Sequence, residues 1–311
     1  MKGVGAVVVT YYPNLSQLSA LLEQLCEQVQ IVCIVDNTPG NTAGLPAWDA
    51  QDICNHERVH LLAQSANLGV ARALNIGIEY VTAWGCKHVL FSDQDSIPTP
   101  GMVAALLTAE ASLLAQGQCP GAVGPIFRNE IDGRDFHFHV ARSGWYVSAA
   151  PDDSCPILNV TSLITSGMLV RAETIAEVGG MLDALFIDYV DIEWCQRARA
   201  RGYACYAVNN AVMRHRMGDD VLSVWSFGWR KMAKYTPLRL YYQFRNSAYL
   251  CRLPYVDFAF KIAQGGFWLG KLYAYTVFSD DRTRSLTMML QGWKDGMAGR
   301  LGPFLGSKRD C

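Results

Sequence analysis

Hydrophobic residues are grouped along the first third of the chain in short continuous runs, separated by stretches with helical spacing. Residues 4–9, VGAVVV, form a β-branched run of the kind found in strands buried on both faces. Asn14 is placed to cap a helix through about residue 29, with Leu18, Leu21, Leu22 and Leu25 on one face. Residues 31–35, IVCIV, predict a second strand ending at Asp36-Asn37, followed by the turn-rich TPGNTAGLP. Residues 59–62 predict a third strand, and Asn67-Leu68-Gly69 opens a helix through about residue 84. Residues 88–92 predict a fourth strand ending at Asp93-Gln94-Asp95, and Pro98 and Pro100 start a helix to about Gln116.

Strand, helix, strand, strand, helix, strand, helix is an α/β pattern with a mostly parallel central sheet. Short strands are expected near 122–127, 136–141 and 159–171, a helix over 189–201 and a strand over 203–208. After Gly218 the pattern changes, and residues 221–299 read mainly as helices dense in aromatic and basic residues. The chain divides at 218/219 into a catalytic domain and a helical C-terminal region packed on it.

Composition sharpens this picture. Half of the 311 residues are hydrophobic and 18 % are charged, which excludes a disordered chain. The net charge of −1 hides an asymmetry: residues 1–196 hold 8 basic and 21 acidic side chains, and residues 197–311 hold 19 and 7. The basic half either neutralises the acidic half or faces phosphates on a ligand or an anionic membrane. No overall basic charge points to nucleic acid. The ten cysteines are scattered without a CxxC pair, which suits a reducing, cytoplasmic setting. The most apolar stretch, 258–278, is interrupted by Lys261 and Lys271 and does not read as a membrane span.

The polar residues that follow strand ends carry the candidate chemistry: Thr10, Tyr11, Asp36, Asn67, Asp93 and Asp95. In open α/β sheets ligands bind at that edge. Two carboxylates as close as Asp93 and Asp95 repel each other, and a divalent cation would relieve them and hold a pyrophosphate. The alternative is loop capping. Asp36 suits the N3–H of a pyrimidine, or else forms an Asx turn. Asp188 and Asp191, three apart, include a candidate general base or cap a helix beside Arg197. His215 follows a strand and could be a third ligand to the cation. Arg239, Arg245 and Asn246 lie on one helix, where arginine forks suit phosphate oxygens or face solvent. The absence of G-x-G-x-x-G and of a Walker motif argues against dinucleotide hydride transfer and P-loop hydrolysis.

VVVTYYPN, VDNT, NLGVARALNIGI, LFSDQDS, ITSGMLV, FIDYVDIEWCQRARARGY, RHRMGD and RLYYQFRN occur in that order. Over roughly residues 4–300 the chain resembles GT-A fold, family 2 glycosyltransferases, and within them the bacterial rhamnosyltransferases of O-antigen and other cell-surface polysaccharides. The resemblance implies that Thr10, Tyr11 and Asp36 hold the base and ribose. Asn67, Gly69 and Arg72 line the donor pocket, joined by Asp93, Ser166, Gly167 and Arg245. Asp95, Asp93 and His215 bind Mg²⁺ or Mn²⁺. The base is Asp191, or Asp188 in its place, because the chain reads Asp-Tyr-Val-Asp where many relatives have Glu-Asp followed by another Asp.

The implied reaction is inverting transfer of L-rhamnose from dTDP-L-rhamnose to a hydroxyl of a saccharide acceptor. The basic, aromatic C-terminal region suggests a lipid-linked acceptor and a peripheral site on the inner face of the plasma membrane. An oligomer is compatible with the sequence. Two other readings stand: a family 2 transferase with another donor, such as a UDP-sugar, and a non-catalytic carbohydrate-binding protein, which would not need Asp93, Asp95 and Asp191 together.

Overall fold

The computed structural model describes residues 3–39, 57–129, 136–142, 144–215, 221–226 and 228–306, with the side chains of Asn129 and His215 outside the description. The turn-rich stretch beyond Pro39 and residues 216–219 of the RHRMGD motif also fall outside it. The strands are β1 (Val4–Thr10), β2 (Ile31–Asp36), β3 (Val59–Ala63), β4 (His88–Asp93), β5 (Ser96–Pro98), β6 (Pro120–Asn129), β7 (Phe138–Arg142), β8 (Trp145–Ala149), β9 (Ile157–Val160), β10 (Leu169–Arg171), β11 (Ala204–His215), β12 (Val221–Trp225) and β13 (Trp229–Ala233). The α-helices are α1 (Leu15–Gln28), α2 (Val70–Ala83), α3 (Met102–Ala115), α4 (Ala172–Val178), α5 (Val190–Ala200), α6 (Pro237–Arg252), α7 (Phe258–Phe278) and α8 (Arg282–Ala298), with a 3₁₀ turn at Asp183–Leu185.

A nine-stranded sheet runs in the order β3-β2-β1-β4-β10-β6-β11-β5, with β9 added on β11. β3, β2, β1 and β4 are parallel, as their buried β-branched runs require. The short β10 enters antiparallel between β4 and β6, so the sheet is mixed in its second half. Asn14 caps α1, its side-chain oxygen accepting from Ser16 N–H at 3.1 Å and Gln17 N–H at 3.3 Å. The expected strand at 159–171 resolves into β9 and β10, with a loop between them that carries Thr165, Ser166 and Gly167. Pro98 ends β5 instead of opening a helix, and α3 begins at Met102 after Gly101.

Beyond residue 218 the chain first forms the β12–β13 hairpin, where helices were expected, and then α6, α7 and α8. These surround a small core of their own, including Leu222, Val224, Leu240, Phe244, Tyr275 and Met289. The close approach of α8 to α6 needs glycine: a Cβ on Gly296 would stand 2.1 Å from the Arg245 carbonyl oxygen.

Candidate active site

The parallel register sets the floor of the site. Thr10 lies beside Asp36, and Val9 beside Asp93, so three strands end together in polar residues. Asp36 is fully buried and accepts from Thr10 Oγ1 at 2.9 Å, from Thr38 Oγ1 at 2.7 Å and from the Thr38 N–H at 3.2 Å. Tyr11 is half exposed above this pair. Gln94, between the two strand-end aspartates, holds the Tyr11 backbone reciprocally: its Oε1 accepts from Tyr11 N–H at 2.8 Å, and its Nε2 donates to the Tyr11 carbonyl at 3.3 Å. Nothing in the sequence marks Gln94 for this contact.

The 161–168 loop joins two distant segments, the backbone of Asp93 and the carboxylate of Asp191. The Asp93 N–H donates to Ser166 Oγ at 3.3 Å, and the Thr165 N–H donates to Asp191 Oδ2 at 3.2 Å. Gly167 donates its N–H to the Phe91 carbonyl at 2.8 Å. Burial, with the charges of Asp95 and Asp191, pushes the Asp93 carboxyl up to about 7 against the pull of Arg239. The two carboxyl groups lie two positions apart in the chain, Asp93 half-buried and Asp95 exposed. Hard oxygen donors in that situation fit a divalent cation. His215 ends β11 opposite Ser96, the residue after Asp95. Among the described residues no three His, Cys, Asp or Glu side chains converge as a ligand set.

Asp191 lies in the first turn of α5, where the helix dipole favours a negative charge. Burial nevertheless pushes its carboxyl up to about 6, opposed by the backbone N–H groups of Ile192 and Thr165. Asp188 is engaged differently. Its carboxylate receives the Arg239 guanidinium, Nη2 at 3.1 Å and Nε at 3.2 and 3.3 Å from its two oxygens.

The segment carrying these residues is strained. Phe186, Asp188 and Tyr189 have φ of 66°, 61° and 65°, a region that costs a non-glycine residue roughly 1–2 kcal/mol each. What holds it comes from α6. Asn246 Nδ2 donates to the carbonyls of Leu185, Ile187 and Asp188 at 3.0, 2.7 and 2.8 Å. Tyr189 donates its hydroxyl to Gln264 Oε1 on α7 at 2.8 Å. Gly69 lets the start of α2 close on this segment: at φ 82° its Cβ would meet Phe186 Cδ2 at 2.5 Å.

Arg245 corrects an expectation. Only 1 % exposed, it lies behind the segment, donating to the Leu185 carbonyl at 2.8 Å and to Gly302, and stacking over Tyr242. Its remaining donor, Nε, goes to Asn246 Oδ1 at 2.9 Å, so the guanidinium braces the loop from behind. The guanidinium that reaches the Asp188 carboxylate is that of Arg239, six residues earlier on α6. Arg72 is half exposed and pairs with Asp183 at 3.4 Å, and Asn67 caps the Gly69 N–H at 2.9 Å. Of the predicted residues, the structure gathers Thr10, Tyr11, Asp36, Asp93, Asp95, Ser166, Gly167, Asp188 and Asp191 along one sheet edge. Arg239 and Asn246 could be found in the sequence only as polar members of RLYYQFRN, without a clue to their different tasks.

A family model described as Glycosyl transferase family 2 matches residues 6–149. The dTDP-rhamnosyl transferase RfbF of Shigella flexneri is 31 % identical over 267 residues, covering 85 % of this chain and 84 % of that protein. An uncharacterised protein of Mycobacterium tuberculosis is 31 % identical over 156 residues, 48 % of this chain and 54 % of its own length. The crystal structure of GalNAc-T7 with UDP, GalNAc and Mn²⁺ superposes with a TM-score of 0.55 at 13 % identity, covering 88 % of this chain and 57 % of that one. That likeness shows the fold: a mixed α/β sheet with C-terminal helices, the GT-A architecture. With the family model matched on the strands that build the site, and a named transferase aligned over more than four-fifths of both chains, the protein belongs to glycosyl transferase family 2.

Proposed function

We propose that the protein transfers L-rhamnose from dTDP-L-rhamnose to a hydroxyl of a saccharide acceptor, with inversion at the anomeric carbon. The observation that carries this reading is the meeting of Asp93 and Asp191 on one loop, where Ser166 Oγ receives the Asp93 N–H and the Thr165 N–H reaches the Asp191 carboxylate. Thr10, Tyr11 and Asp36 receive the base and ribose, with Asn67, Gly69, Arg72, Ser166 and Gly167 shaping the donor pocket. Asp93 and Asp95, with His215, would hold Mg²⁺ or Mn²⁺. A divalent cation bound there supplies charge stabilisation to the departing diphosphate.

Asp191 is the general base. It takes the proton of the acceptor hydroxyl as the oxygen bonds to the anomeric carbon, and the bond from that carbon to the diphosphate oxygen breaks with its electron pair going to dTDP. A β-linked donor then gives an α-L-rhamnoside. Asp188 is the weaker candidate, because its oxygens already accept from Arg239. The relative in Shigella flexneri, named a dTDP-rhamnosyl transferase, supports the donor assignment.

In this reading residues 1–218 form the catalytic domain, and residues 219–311 pack on it and meet an anionic membrane that carries the lipid-linked acceptor. Phe258, Ile262, Leu269, Tyr273 and Val277 line an exposed apolar stripe of α7. Trp225 and Trp229 stand exposed at the hairpin end, followed by the exposed Arg230 and Lys231. Such a face suits a lipid headgroup layer. No helix among the described residues is long and apolar enough to cross a membrane.

The test is transfer across a panel of dTDP-, UDP- and GDP-sugars, with and without Mg²⁺ or Mn²⁺. Preference for dTDP-rhamnose with metal is expected. Preference for a UDP-sugar would replace the donor, and full turnover in chelator would remove the cation. Flotation with anionic liposomes at low salt checks the membrane assignment, which fails if the protein stays at the bottom of the gradient.

A further inference from the structure

We propose that Lys271, on α7, is a donor-binding residue: with Arg239 it forms a cationic wall that receives the diphosphate of the sugar nucleotide. This rests on the transferase reading above.

Lys271 is only 8 % exposed, on the face of α7 that carries Phe260, Gln264, Ala274 and Tyr275. An ammonium buried there is costly unless a partner compensates it. Its Nζ stands 4.1 Å from the centre of the Tyr235 ring, 5.6 Å from that of Tyr275 and 5.7 Å from that of Phe267. Those ring faces offset part of the cost. Among the described residues, no hydrogen bond or ion pair joins the ammonium to the protein. Among the described residues, Lys271 therefore has no anionic or carbonyl oxygen as a partner.

Its surroundings indicate where that oxygen comes from. Arg239 lies over the same Tyr235 ring, its guanidinium carbon 5.4 Å from the centre, and pairs with Asp188. Two cations and one carboxylate thus face each other at the Asp188 end of the site. The charge of Asp188 acts on Lys271, and the charge of Arg239 acts on both Lys271 and Asp93. Burial, with the repulsion of Arg239, pushes Lys271 down to about 8, against the attraction of Asp188. On the other side, two strand-end carboxylates are already enough to neutralise a divalent cation. The phosphates of the donor then need positive charge from elsewhere, and Arg239, whose charge reaches both Asp93 and Lys271, links the carboxylates to that surplus cation. A phosphate oxygen arriving at Lys271 would complete its hydrogen bonding and relieve the repulsion by Arg239.

A residue that only fills space would behave in the opposite way. Lys271→Met keeps the length and apolar stem while removing an uncompensated buried charge. Calorimetric titration of dTDP, UDP and thymidine in the presence of Mn²⁺, combined with thermal melting, separates the two roles. Expected for Lys271→Met is a tenfold or greater loss of affinity for dTDP and UDP, thymidine binding within twofold of wild type, and a Tm equal to or above wild type. Lys271→Arg should retain diphosphate affinity to within about threefold. Unchanged diphosphate affinity in Lys271→Met, or a loss that falls equally on thymidine and Tm, overturns the proposal. A wild-type chain that binds neither diphosphate overturns the transferase reading instead, which keeps the two failures distinct.

Discussion

The donor edge of the sheet and the 186–191 segment are built on opposite terms. At the edge, the polar groups that end β1 and β2 bond to neighbours that the parallel register already places beside them, and the left-handed region is entered only at Tyr12, just beyond β1. At the segment, three non-glycine residues are held in the left-handed region by side chains from α6 and α7. The edge is pre-formed by the sheet. The segment that presents Asp188 and Asp191 takes most of its side-chain hydrogen bonds from the C-terminal helices. Binding of a nucleotide and catalysis of transfer should therefore fail separately, according to which region is damaged.

The largest separation is expected at Asp191. Asp191→Asn should lower turnover on the order of 10³-fold while leaving affinity for dTDP within twofold, because a general base acts on the acceptor proton alone. Equal loss of both would place Asp191 in the donor pocket. Next is the clamp. Asn246→Ala removes the two N–H groups that serve the carbonyls of Leu185, Ile187 and Asp188 and should cost roughly 2–4 kcal/mol of stability. Its turnover should fall on the order of 10- to 100-fold at temperatures where the fold persists, because a displaced base is a slow base. Wild-type kinetics in Asn246→Ala would mean that the segment holds its shape unaided.

The third effect is on pH. Asp191 must be ionised to accept a proton, and its carboxyl is pushed up to about 6. kcat/KM should therefore fall about tenfold per pH unit below that value and level off above it. The sign for stability is opposite. A carboxyl raised in the folded state favours its protonated form, so this group's contribution is fully present below the ordinary carboxylate range and is lost as pH rises through about 6. The smallest effect belongs to the edge. Gln94→Ala frees the Tyr11 backbone and should raise KM for the sugar nucleotide roughly threefold, with kcat unchanged, since each lost bond is worth only about 1 kcal/mol. A larger effect on kcat than on KM would tie Gln94 to the reaction itself.

The same contrast explains what could be read from the sequence. VGAVVV, IVCIV and HVLFS each announce a buried strand within a few residues, and the polar residue that follows each is necessarily at the carboxyl edge. Asn14 is likewise legible, because a cap acts three residues away. The placement of β10 between β4 and β6 is not legible: three residues, LVR, carry no pattern, and their pairing is decided by the strands on either side. The β12–β13 hairpin was hidden among aromatic and basic residues that suit helices equally well. Arg239 and Arg245 look alike in RLYYQFRN, yet six positions rotate one toward Asp188 and bury the other under Tyr242. Lys271 was noticed only as a break in an apolar run. Its aromatic enclosure is set by Tyr235, Phe267 and Tyr275, and only the folded bundle brings Tyr235 to it.

The Asn246 clamp also bears on how such an enzyme can be recombined. Residues 185–188 and Asn246 are separated by about sixty positions in the chain but contribute to one hydrogen-bonded knot. A chimera that took its tail from a relative at residue 218 would inherit one side of that knot from each parent. Swaps that keep 185–252 together should give working hybrids, so altering acceptor preference by segment exchange must carry the loop and its clamp as a single cassette.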